Sequence, residues 1–178
     1  MSGVSGVESV RLAAVAVLEQ GAVFVEGLDD GCYSKSSSAV GATIGQHVRH
    51  ALDHFAALLD GYEASDRDEP GPVSYDRRDR GTSIETDRGE AVAQIRVLQG
   101  QLGSLDDVQL EWPMTIRVMT TADGPEVELP STLARELAFV THHAIHHWAI
   151  CKVASRELGV SCAEGFGVAP STLAFEAE

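Results

Sequence analysis

All seven histidines of this 178-residue chain fall in two short stretches, 47–54 and 142–147. Each stretch lies inside a segment of helical periodicity, where side chains three or four positions apart stand together on one surface. A fold in which the two segments face each other gathers the commonest metal-ligating side chain at one place. That requirement limits the chain to architectures that bring two helices into contact along their histidine-bearing sides.

The rest of the periodicity supplies such an architecture. Residues 7–28 read as a first amphipathic helix, with Val10, Ala14, Val17, Leu18 and Val25 at helical spacing and Asp29, Asp30 and Gly31 stopping it. A second helix is expected over 43–60, with Thr43 as N-cap and Gly61 as the residue that ends it. Residues 62–83 are rich in Asp, Arg, Gly and Pro without a period and read as a long exposed connection. Connections of that length are more often functional than idle. A third helix follows over 86–102. The alternation around Ile116 and Val118, with Val127 and Leu129 beyond Asp123, Gly124 and Pro125, predicts a small two-stranded hairpin. The fourth helix starts after Pro130, with Ser131 or Thr132 as N-cap, and runs to about Leu158, leaving a tail that reads as an irregular strap. Four helices and one long crossover in a chain of this length predict a single all-α domain over 1–178, a four-helix bundle with a small hairpin before its last helix.

Composition narrows the function. A formal charge of -14 is unsuited to a phosphate backbone or an acidic membrane as partner. The apolar run from Leu12 to Leu18 is too short to span a bilayer, and the first ten residues lack the basic start of a secretory signal. Cys32, Cys151 and Cys162 are an odd set without CxxC spacing, which suits a reducing compartment, so the expected location is the cytoplasm.

A helical wheel at roughly 100° per residue sorts the histidines. On the fourth helix, Leu133, Leu137, Val140, Ala144, Cys151 and Leu158 form the apolar stripe, with His147 on its edge and His143 beside it. His142 and His146 point away. On the second helix Ile44, Val48, Ala51, Phe55 and Leu58 mark the buried face; His47 and His54 lie closer to it than His50, and spacing does not choose among them. Cys151, one turn past His147, is either a core thiol or an additional thiolate ligand. Asp53 and Glu136 read first as solvated carboxylates, with acceptors that orient ligand imidazoles as the alternative. In the connection, Arg77, Arg78 and Arg80 stand out in an acidic chain as a clamp for a substrate carboxylate or phosphate, to which Tyr75 adds a hydroxyl near the metal, against the plainer reading of a solvated loop.

Thr43, Ile44 and His50 before Ala51, together with the HxxxH pair His143 and His147, resemble the motif of the DinB-like, or YfiT-like, four-helix-bundle metalloproteins, a superfamily that includes thiol-dependent transferases. The resemblance spans roughly residues 43–158 and implies a metal held by His50, His143 and His147, with water or substrate completing the sphere. His47 and His54 depart from the pattern as extra imidazoles that replace or support His50. The run from Tyr75 to Arg80 and the following Glu85 look like a feature of a subgroup, with no role assigned in the wider family.

Three neutral imidazoles with open positions are the arrangement of catalytic metal, with zinc first in expectation and nickel second. The function expected is that of a divalent-metal-dependent enzyme, a transferase activating a low-molecular-weight thiol or a hydrolase activating water, on a small-molecule substrate. The alternatives are a non-enzymatic metal or small-ligand binding stress protein with a saturated coordination sphere, and a structural homodimer whose histidines are interface groups.

Overall fold

The computed structural model describes residues 5–66, 71–76 and 80–177. Four long helices form the bundle: α1 (Gly6–Glu26), α3 (Ile44–Glu63), α4 (Arg88–Ser104) and α6 (Leu133–Glu157). Helix α1 packs on α4 and α6, and α3 packs on the same two, so each helix has two neighbours around one core. No described helix is long and apolar enough to cross a membrane.

The caps follow from side-chain chemistry. Thr43 accepts the backbone N–H of Gln46 at 3.0 Å while the Gln46 amide oxygen accepts the N–H of Thr43 at 3.0 Å, closing a capping box at the start of α3. Thr132 caps α6 and Asp87 caps α4 in the same one-sided way. Gly61 does not end α3, which continues to Glu63. Its role is close approach: a Cβ there would lie 2.4 Å from Cγ2 of Val73.

Between the long helices lie elements that periodicity does not mark. Helix α2 (Asp30–Ser34) starts on Asp29, whose carboxylate accepts from the N–H of Cys32 at 2.7 Å. Strands β1 (Ser36–Ser37) and β2 (Ala42–Thr43) pair antiparallel and lead into α3. That turn is tied to the end of α6, where Glu157 accepts from the hydroxyls of Ser37 and Ser38 and from the N–H of Ala39. These bonds, that of Ser37 foremost, hold the Glu157 carboxyl down at about 2.

The expected hairpin forms from β4 (Pro113–Met119) and β5 (Glu126–Thr132), in register Ile116 to Leu129. It is one strand larger than expected, because β3 (Pro72–Ser74), from the supposedly irregular connection, pairs parallel to β4 with Val73 opposite Ile116. Three residues are too few for a period to show, but a buried Val between an exposed Pro and a half-buried Ser suits a strand that fills one gap. Helix α5 (Asp107–Leu110) precedes β4, and the tail is helical where a strap is expected: α7 (Pro170–Glu176) begins with Pro170 in the first turn, where a missing N–H costs nothing.

Candidate metal centre

Helices α3 and α6 meet antiparallel, and their histidines interlock across the contact. His50 Nε2 lies 3.1 Å from His143 Nε2, and His47 Nδ1 lies 3.1 Å from His147 Nδ1. The ring centre of His50 is 4.5 Å from that of His147, His143 is also 4.5 Å from His147, and His54 stacks on His143 at 4.1 Å. His142 and His146 are exposed, on the outward face that the wheel gives them. Five of the seven imidazoles therefore converge.

Among the described residues, His50, His54 and His143 form a group whose candidate ligand atoms all lie within 4.8 Å of one another. His54 is buried, and its Nδ1 donates to the carbonyl of His50 at 3.0 Å. A carbonyl only accepts, so this bond puts the proton on Nδ1 and leaves the lone pair on Nε2, the usual second contact of a ligating imidazole. His147 is buried too; burial first, then the neighbouring His143, His50 and His47, pushes its pKa down to about 2. His47 is shifted in the same direction by burial and by His146. Imidazoles kept neutral at neutral pH are lone-pair donors, so the residues present fit a divalent ion of borderline softness.

The remaining residues singled out by sequence are distributed around this cluster. The ring of Tyr75 stacks on His54 at 5.2 Å with an interplanar angle of 2°, and its hydroxyl donates to Glu136 at 2.9 Å. Burial first, then the charge of Glu136 and the bond to it, raises the Tyr75 pKa, keeping a neutral phenol. Glu136, 1% exposed, touches no imidazole; it accepts from Tyr75, from Ser131 at 2.6 Å and from Arg135 at 2.6 Å. Asp53 accepts from Arg49 at 2.5 Å. Cys151 is fully buried, and its thiol is pushed up by burial, which disfavours the thiolate. Arg77 and Arg78 lie outside the described residues. Arg80 lines a cavity of about 610 Å³ together with Gln46, His47, Arg49, His50, Gly81, Glu85 and His147. It forms no ion pair with any described residue.

Two residues beside the cluster escape the sequence reading. Phe139 sits 6.0 Å from the His143 ring and 5.5 Å from Tyr75, closing the cluster on that side. Arg49 is nine-tenths buried; it donates to Asp53 and, at 3.0 Å, to Glu85, which also accepts the N–H of Gly81. The available signal is a guanidinium between the inward-facing Val48 and His50, adjacent to the buried face of α3. Its effect is to fasten the segment after Arg80 along α3 as one wall of the cavity. Tyr33 reinforces the wall by donating to the carbonyl of Ile84 at 2.6 Å.

Gly45 shows how close that packing is, because a Cβ would stand 2.1 Å from the carbonyl oxygen of Glu85 and 2.8 Å from the Tyr33 ring. Gly45→Ala is expected to destabilise the protein by about 1–3 kcal/mol, the range for overpacking a filled site. Urea titration measures it, and an unchanged midpoint would mean the Glu85 wall is not fixed against α3.

The comparisons with known proteins agree with this fold. YfiT from Bacillus subtilis, described as a probable metal-dependent hydrolase with an unusual four-helix bundle topology, aligns in structure with a TM-score of 0.65 at 20% identity, over 90% of this chain and 93% of that one. That likeness is one of fold. FK506-binding protein 5 of Rhizopus delemar is 36% identical over 102 residues, which are 57% of this chain but only 26% of that protein. A family model described as the DinB superfamily matches residues 18–151. Because that match runs from α1 to α6, and so takes in every helix of the bundle and all seven histidines, the chain belongs to the DinB superfamily.

Proposed function

We propose that this protein is a divalent-metal-dependent enzyme in which α3 and α6 hold the ion, zinc in first place and nickel in second, and the adjoining cavity receives a small anionic substrate. The observation that supports it most is the convergence of His50, His54 and His143, with neutral His147 beside them. His50 and His143 are common to that trio and to the trio His50, His143 and His147 implied by the sequence motif. They are the two ligands on which the reading depends, and His54 is the third we favour. A bound ion of this kind supplies Lewis acidity to a substrate oxygen and lowers the pKa of a thiol or water at its open position.

The chain's own groups do the rest. Arg80 offers a guanidinium fork at the cavity mouth in a protein of net charge -14, so it attracts and orients a carboxylate or phosphate. Arg49, already committed to Asp53 and Glu85, keeps the wall in place. Tyr75 and Phe139 hold the rings of His54 and His143 from the far side and keep water off that edge. The nucleophile is a small protic molecule, a low-molecular-weight thiol in a transferase or water in a hydrolase, and the expected setting is the reducing cytoplasm. The surplus of inward imidazoles favours one competing reading, a carrier whose saturated sphere has no place for substrate.

Elemental analysis of untagged protein tests the reading. We expect at least one equivalent of metal per chain in the wild type and its loss in His50→Ala and His143→Ala, with the fold retained by circular dichroism. Zinc-loaded protein is then offered cellular thiols with electrophiles, and a panel of esters and amides. Conjugation identifies the transferase and cleavage the hydrolase. Stoichiometric metal without turnover of either panel would favour the carrier, and metal retained in both alanine variants would end the proposal.

A further inference from the structure

Away from the histidines, a second cavity of about 500 Å³ lies between α1 and the tail that follows α6, and none of its lining residues belongs to the metal centre. Its buried lining includes Phe24 and Phe166, stacked at 4.4 Å, and exposed Val23 and Leu173 stand at its edge. The tail is held off this space by its own anchors. Lys152 Nζ donates to the carbonyl of Phe166 at 3.1 Å, and Gly167, at φ +66°, lies so close to α6 that a Cβ would stand 2.5 Å from the backbone nitrogen of Ala149. On the opposite wall α1 offers Ala16 and Gly27, whose side chains are too short to fill the gap. A mainly apolar cavity within about 300–1,000 Å³ is of a size that takes a small ligand, and apolar space holds water poorly.

The adjoining cavity, of about 420 Å³, is bounded by the same Val160, Ser161 and Cys162 but has the opposite character. It carries Lys152 and Arg156, one turn apart on α6. Neither forms an ion pair with any described residue, in a protein of net charge -14. A cation in the last turn of a helix suits the helix dipole, which accounts for Arg156 but not for Lys152 a turn earlier. The Lys152 ammonium has three donors, and the Phe166 carbonyl takes one of them. The carboxylates on the apolar cavity do not answer this pair: Glu19 is held by Arg96 and Gln99, and Glu164 is exposed.

We propose that the two cavities together bind one free amphipathic anion, a medium-chain fatty acid or an acid of similar shape, with its chain between α1 and the tail and its carboxylate on Lys152 and Arg156. A chain seated against Phe24 and Phe166 ends beside the cations because both cavities meet the segment 160–162. A free acid fits better than an anionic bilayer, since a surface potential of the same sign repels a protein of net charge -14. The site depends neither on the metal nor on the reaction proposed above.

Calorimetric titration of the full chain with decanoate, decanol and decylamine, each below its micellar range, tests the proposal. We expect one decanoate per chain, with decanol weaker and decylamine weakest, because the cation pair favours only the carboxylate. Arg156→Gln should weaken decanoate about tenfold, the loss of one charge-assisted contact, and leave decanol unchanged. Ala16→Phe, at an exposed position of α1, should abolish binding of both while the melting temperature and metal content stay as in the wild type. Decanoate should also slow the reaction of Cys162 with Ellman's reagent, since this half-buried thiol lines both cavities whereas Cys32 and Cys151 are buried. Failure of the wild type to bind decanoate, equal affinity for decanoate and decylamine, or full binding in Ala16→Phe would each overturn the inference. Pelleting of the protein with phosphatidylglycerol vesicles, abolished in Arg156→Gln, would make the ligand a membrane surface. A dimer that decanoate dissociates would make the cavity an interface between copies, and either result overturns the free-acid site.

Discussion

Trp148→Ala should cost about 3–5 kcal/mol of folding stability, the range for deleting a large aromatic from a core that cannot collapse around the gap. Trp148 is fully buried near the middle of α6, and its indole N–H donates to the carbonyl of Val17 on α1 at 3.0 Å. Its ring lies against Gly21, where a Cβ would come within 2.5 Å of Cζ2, and 6.1 Å from the Phe166 ring, which in turn stacks on Phe24 at 4.4 Å. One side chain thus joins α1, α6 and the tail. At about 2–4 °C per kcal/mol for a domain of this size, the melting temperature should fall by roughly 6–20 °C. The two residues should also be coupled: Gly21→Ala, disruptive in the wild type, should cost less in the Trp148→Ala background, where its methyl group enters the space the indole left. Additive effects in the double variant would mean that the indole does not fill that space.

Acid should weaken the metal-free fold from about pH 6.5 downward. Above about pH 6.5 the His147 ring is neutral whether the chain is folded or unfolded, so stability does not depend on pH through this group. Below that value the unfolded chain takes up a proton that the fold refuses until about pH 2, because burial and the surrounding imidazoles oppose a charge there. Stability therefore falls with falling pH through this window, at a limiting slope of about 1.4 kcal/mol per pH unit for one such group. His47, lowered in the same direction, steepens the loss over the upper part of the window. Urea unfolding of chelator-treated protein between about pH 7.5 and 4.5 reads the slope, and His147→Gln should flatten it. If wild type and variant lose stability in parallel, the buried imidazole is not the cause. Bound metal should move the loss to lower pH, since protons and the ion compete for the same lone pairs.

Period and caps gave the four bundle helices, because each helix shows its buried face in its own sequence. Val10, Val17 and Val25, or Leu133, Leu137 and Ala144, need no knowledge of their partners. The third strand stayed hidden since Val73 acquires a pattern only when it is opposite Ile116. Gly61 looked like a helix end for the same reason: nothing local says that Val73 will press against it. In the centre, the wheel separated His143 and His147 from the outward His142 and His146, as the structure has them. It did not show that Tyr75 would stack on His54, since the partner that holds its hydroxyl, Glu136, is 61 positions away.

The sequence by itself determined which helical faces are apolar, and that His143 and His147 lie along the apolar face of α6 while His142 and His146 turn away. Helical spacing is a local, short-range property, and it survives without tertiary contacts. Only the tertiary structure decided which nitrogen meets which: the antiparallel offset of α3 against α6 pairs His50 with His143 and His47 with His147. That offset is set by packing along the whole interface and by Arg49, Glu85 and Gly45 beside it. No single residue type encodes it.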